Sequence, residues 1–203
     1  AKTLFPYTTL FRSVSGILSN KMYGKSVMPY QPEGIWGAPY SGIKWKQSEG
    51  EDQFRRALYT YWRRSSPYPS MMTFDGTSRE VCLARRLRTN TPLQALTSLN
   101  DPVYVECARY FAKRMDKEKT DINGQIRKGY SLAMSKEISN DKLLILNNLY
   151  QKSLQDFKKK PIEAMKFLGY CSDNTLPKNM PDLAAKTMVA MTILNLDEFV
   201  MKE

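Results

Sequence analysis

Two closely spaced helix starts, Thr91-Pro92-Leu93-Gln94 and Asn100-Asp101-Pro102-Val103, constrain this chain more than any other feature. In the first, the Thr91 hydroxyl can accept an orphan amide of the opening turn while Gln94 reaches back, and proline suits the first helical position. In the second, Asp101 is placed as the N-cap and Pro102 as the first helical residue. Leu93, Leu96 and Leu99 share one face of the first helix. Val103, Cys107, Tyr110 or Phe111, and Met115 follow helical spacing in the second, leaving Glu106, Arg109 and Lys113 on the wet side. The expected unit is a helix, a corner and a helix.

Further starts and stops extend the helical reading. Phe54, Leu58, Tyr61 and Trp62 predict an inward face for a helix over Asp52 to Arg64, with Arg55, Arg56, Arg63 and Arg64 partly outward. Ile122, Ile126, Tyr130 and Ala133 mark another helix, capped near Thr120 or Asp121. Ser139 and Asp141 start a longer one carrying Leu143, Leu146, Tyr150, Leu154 and Phe157. Lys158-Lys159-Lys160 suits its negative C-terminal dipole, and Pro161 forbids simple continuation. A short helix then runs from Pro161 to Gly169, and Pro181 opens a last one whose Leu183, Met188, Met191, Leu194 and Phe199 should be deeply packed. From Gly24 to Gly50, prolines and glycines alternate with Tyr30, Trp36, Tyr40 and Trp45, an irregular stretch expected to wrap over another surface. The fold class is therefore mainly α: a helical domain with a helix-corner-helix core and long irregular aromatic-rich segments.

The same motifs resemble the domain of unknown function that closes large planctomycete-type cytochrome c proteins, downstream of a haem domain and a companion domain. The resemblance runs through Val14-Ser15-Gly16-Ile17-Leu18, Tyr30-Gln31-Pro32-Glu33-Gly34-Ile35-Trp36, Arg55 to Trp62, Met72-Thr73-Phe74-Asp75, the two capped helix starts and Asn195-Leu196-Asp197-Glu198-Phe199. It departs at Lys186, where a tryptophan is expected after Ala184-Ala185. Residues 3 to 13 match the translation of a widely used short-read sequencing adapter instead. The expected organisation is thus an artefactual leader over 1–13, an irregular wrapping segment over 14–50 and a helical C-terminal domain over 51–203, the whole a fragment of a longer protein. The resemblance implies an exported, haem-linked parent in the periplasm or cell envelope. It places c-type haem only in the part of the parent outside this fragment, and no cofactor within it.

Composition narrows the chemistry. An apolar content of 42% and a charged content of 25% fit a globular chain. No apolar run approaches the roughly 20 residues of a membrane span. With no histidine, neither a Ser-His-Asp or Cys-His site nor a Cys-His zinc site can be assembled from these residues, and no C-x-x-C occurs. Cys107 reads as a buried thiol; Cys82 and Cys171 would pair only if the parent is exported. Net charge is +11; without Lys2 and Arg12 the 31 basic residues become 29 against 20 acidic, or +9, but the cations are spread over several helices. A nucleic-acid track is not expected.

The sharpest binding candidate is Arg79, Arg85, Arg86 and Arg88, just before a helix N-terminus that itself favours anions. A sulfate, phosphate or uronate would suit them. The favoured alternative is a set of internal ion pairs locking this segment onto the helix pair. Asp75, Thr91, Gln94, Asp101 and Glu106 are expected in structural roles, with the acids as arginine partners or caps. No catalytic residue and no metal ligand is assigned. The expected function is a non-catalytic structural or interaction domain that docks onto other domains of its own polypeptide, with an anion- or polysaccharide-binding surface and no nucleic-acid partner. The alternative is a carbohydrate-active enzyme domain using carboxylates such as Asp75 with Glu80, or Asp101 with Glu106.

Overall fold

The computed structural model describes residues 7–35, 44–77, 89–117, 121–170 and 179–201. Among them are nine α-helices and no strand beyond one isolated parallel bridge between Val27 and Thr60. The mainly α expectation holds. The helices are α1 (Tyr7–Ser15), α2 (Pro69–Thr73), α3 (Pro92–Asn100), α4 (Pro102–Asp116), α5 (Ile122–Met134), α6 (Asn140–Lys159), α7 (Pro161–Phe167), α8 (Met180–Leu194) and α9 (Asp197–Val200). None is long and apolar enough to cross a membrane. The chain divides into two compact units, 1–13 with 17–97, and 14–16 with 98–203.

The first unit is held by loops more than by helices. Ala57, Tyr68 and Met71 form a buried cluster against which Trp45 and Trp62 pack. Trp45 stacks on Tyr68 with ring centroids 6.0 Å apart and donates its indole N–H to the Pro29 carbonyl at 3.0 Å. Tyr68 Oη donates to the Tyr30 carbonyl at 2.7 Å. Trp45 thus packs over an aromatic ring of its own unit from a distant part of the sequence; Trp36 and Tyr40 lie outside the described residues. Residues 7–13, part of the leader set apart above, fold into α1: Phe11 is 1% exposed, and Thr9 Oγ1 accepts the Ala57 amide at 3.0 Å.

The helix expected over Asp52 to Arg64 does not form. Two short 3-10 turns, Gly50–Phe54 and Ala57–Tyr59, flank an extended Arg55 and Arg56. The carbonyls a helix would bond internally are engaged elsewhere: Phe54 O accepts from Ser19 N at 3.0 Å, Arg55 O from Arg12 Nη1 at 2.9 Å, and Tyr59 O from Val27 N at 2.8 Å. Burial inverts accordingly. Arg55, assigned partly to the solvent side, is 2% exposed, whereas Leu58, assigned inward, is 62% exposed.

In the second unit α8 is the central element, packing against α4, α5, α6, α7 and α9. Its sequence is apolar nearly all round, which suits a helix enclosed by neighbours. On α4 the ambiguity between Tyr110 and Phe111 is resolved: Phe111 is fully buried beside Cys107 and Met115, and Tyr110 faces out. Asp121 caps α5 by accepting from Gly124 N at 3.1 Å, and Ser139 caps α6 by accepting from Lys142 N at 3.4 Å. After α7, Gly169 takes a left-handed φ of +71°, a conformation glycine adopts without side-chain strain. Phe167 stacks on Phe157 of α6 at 5.6 Å.

Candidate functional site

Around the start of α3 the described residues form a polar knot. Asp75, at φ +55° just beyond α2, accepts at Oδ2 from Thr89 N at 2.9 Å, Thr89 Oγ1 at 2.8 Å and Gln94 Nε2 at 3.3 Å. Gln94 Oε1 accepts the Thr91 amide at 3.0 Å while Gln94 N donates to Thr91 Oγ1 at 3.3 Å, the reciprocal arrangement that satisfies two orphan donors at once. Gln94 Nε2 also donates to the Thr73 carbonyl at 3.0 Å and to Thr89 Oγ1 at 2.9 Å. Gln94 is 2% exposed, so each of these bonds replaces water that cannot reach it. Arg79, Arg85, Arg86 and Arg88 lie outside the described residues, as do Glu80, Cys82 and Cys171.

Burial along α3 runs against its leucine spacing. Gln94 and Ser98, four residues apart, occupy its buried side, and Ser98 Oγ lies 2.6 Å from Asn195 Oδ1. Leu93, Leu96 and Leu99 share a face, but that face is exposed. Downstream, Asp101 caps α4 by accepting from Val103 N at 2.8 Å. Glu106 pairs with Arg109 on the same helix at 3.5 Å.

A second polar cluster escaped the sequence reading. Lys186, at the position where the resemblance expects tryptophan, lies on α8 with its ammonium 2.7 Å from Asp182 Oδ2 and bonded also to Asp116 at the end of α4. Tyr150 of α6 donates to Asp182 Oδ1 at 2.5 Å. Burial alone would lower the lysine pKa, but the hydrogen bonds to Asp116 and Asp182 outweigh it and the net shift is upward. Burial, then the bond to Asp182, raises Tyr150. A lysine held protonated is a poor nucleophile or base, and a tyrosine held neutral is a poor base. The signal was present in the sequence as an Asp182–Lys186 pair at helical spacing inside an otherwise apolar helix.

A third cluster joins α5, α6 and α9. Tyr130 and Lys142 both donate to the Glu198 carboxylate. The Lys142 bond leads the lowering of the Glu198 pKa, and the Glu198 bond leads the raising of Lys142. Among the described residues no group of acidic or cysteine side chains could hold a metal ion.

A family profile described as PSD1, protein of unknown function (DUF1553), matches residues 10–150, more than half of the chain. No curated protein and no solved structure shows significant similarity.

Proposed function

The chain belongs to the PSD1 family of proteins of unknown function (DUF1553), and from that premise we propose that it is a non-catalytic structural and interaction domain. In this reading it docks onto other domains of its own polypeptide, an exported, haem-linked protein of the periplasm or cell envelope whose c-type haem is carried elsewhere. The arginine run Arg79, Arg85, Arg86 and Arg88 contributes an anion- or polysaccharide-binding surface.

The observation that supports the proposal is the engagement of three of the four carboxylates considered for glycoside hydrolysis, Asp75, Asp101 and Glu106; Glu80 lies outside the described residues. Such an enzyme requires one acid free to protonate a leaving group and one free to act as base or nucleophile. Asp75 is occupied by three donors, Asp101 caps α4, and Glu106 holds Arg109. Polar groups paired in this way, with the buried Gln94 among them, rigidify a scaffold.

Replacing Arg79, Arg85, Arg86 and Arg88 singly by alanine tests the binding surface. Loss of sulfate- or phosphate-induced stabilisation at an unchanged melting temperature is the expected result; loss of folding would assign these arginines to internal bracing. Recovery of the upstream reading frame tests the parent, and a C-x-x-C-H motif there is the expected finding.

A further inference from the structure

We infer that the outer face of α4 around Tyr110, together with Tyr170 just beyond α7, is a binding surface for an acidic polysaccharide, with one uronate residue at its centre. The inference rests on the polysaccharide reading above but assigns it to different residues.

Four side chains converge here within the second unit. Arg109 Cζ lies 5.6 Å from the Tyr110 ring centroid and 5.7 Å from that of Tyr170. Lys113 Nζ lies 5.4 Å from the Tyr110 centroid and 3.5 Å from Tyr170 Oη. Arg109 is fixed by donating to the Leu168 carbonyl and by its pairing with Glu106. Its Nε is buried without a partner. Lys113 has two neighbours of this kind, the Tyr110 ring and the Tyr170 hydroxyl, and no carboxylate among the described residues pairs with it. Two cations therefore face one acid, at an aromatic ring that remains 36% exposed on a helix with a fully buried Phe111 next to it.

That combination selects the ligand. A flat tyrosine ring offers apolar contact to the C–H face of a pyranose and a polar tip beside it. An ammonium with no carboxylate partner among the described residues is placed for a charge-assisted bond to the sugar's own carboxylate. The arginine, already anchored, holds the two tyrosines in place. A nucleic acid would instead call for a long track of cations along a phosphate backbone, whereas this face supplies two. The net charge of +11 favours approach of a polyanion at low salt.

Affinity electrophoresis of the folded chain through gels containing polygalacturonate, with dextran as the neutral control, tests the assignment. The unmodified chain should be slowed by polygalacturonate and not by dextran. Tyr110→Ala and Lys113→Gln should each weaken that retardation by about fivefold, the loss of one aromatic or one charge-assisted contact. Both side chains lie at the surface, so the melting temperatures should stay unchanged. Retardation that survives both substitutions would overturn this site and leave the arginine run as the binding surface. No retardation of the unmodified chain would overturn both readings. Sensitivity to Lys113→Gln without sensitivity to Tyr110→Ala would reduce the surface to nonspecific charge and overturn the sugar assignment.

Discussion

Lys186 and Asp182, one turn apart on α8, form a 2.7 Å ion pair on the most enclosed helix of the second unit. Lys186 is 7% exposed, and a charge so placed is tolerated because two carboxylates pair with it. Asp116 brings the end of α4 to the same ammonium, and Tyr150 brings α6 to the same aspartate. Lys186 and Asp182 together thus join α4, α6 and α8.

Replacing Lys186 by Met keeps most of the apolar stem but leaves Asp182 with no counter-charge. Because Asp116 is half exposed and can rehydrate, the expected cost is about 2–3 kcal/mol, less than the roughly 3–5 kcal/mol for breaking a fully buried pair. Lys186→Trp, which restores the residue expected from the resemblance, should cost at least as much in this chain. Urea denaturation of the two variants checks this, and stability equal to the unmodified chain would show that the lysine contributes only packing.

Alkaline pH should destabilise the protein through the same cluster. Lys186 and Tyr150 both hold their protons more tightly folded than unfolded, so their contribution is fully present below the ordinary values near 10 and is lost progressively as pH rises from there through their higher folded values. Melting temperatures measured from pH 7 to 11 should fall above about pH 10. Combining Lys186→Met with Tyr150→Phe should flatten that decline; an unaltered slope would place its origin elsewhere.

Arg55 braces the first unit from within. Its guanidinium donates to the carbonyls of Lys21 and Lys25 at 3.3 Å each and to that of Tyr23, and it stacks over the Tyr59 ring at 3.8 Å. Arg55→Met should free this loop at a cost of about 2–3 kcal/mol, since several bonds from a charged donor are lost together. Arg55→Lys should not rescue it, because a single ammonium cannot span the three acceptors. Limited trypsin digestion should reveal rapid cleavage after Lys21 and Lys25 in both variants, and resistance like that of the unmodified chain would refute the brace.

Gly129 on α5 marks a close approach to α4. A Cβ there would lie 2.7 Å from Met115 Sδ and 2.8 Å from its Cε, and Met115 is 1% exposed with little room to withdraw. Alanine gains about 1 kcal/mol in helix propensity, but overpacking of this kind costs more, so Gly129→Ala should be destabilising by about 1 kcal/mol. In a Met115→Ala background the same substitution should become stabilising. A double-mutant cycle measures that reversal, and simple additivity would contradict the contact.

The sequence determined the helical starts and stops of the second unit. Asp101, Asp121, Ser139, Pro161 and Gly169 act locally, through bonds or backbone limits that depend on residues a few positions away, so they are legible without a tertiary frame. Thr91 and Gln94 are legible for the same reason. Tertiary structure decided what local pattern left open. The stretch around Arg55 has helical spacing, yet its carbonyls are claimed by Arg12, Ser19 and Val27 from distant segments, and its arginine turns inward while Leu58 turns out. Similarly, helical spacing groups Leu93, Leu96 and Leu99 on one face of α3, yet those leucines are exposed while Gln94 and Ser98 are buried. Periodicity reports which residues share a face; only long-range hydrogen bonds and packing decide which face meets water.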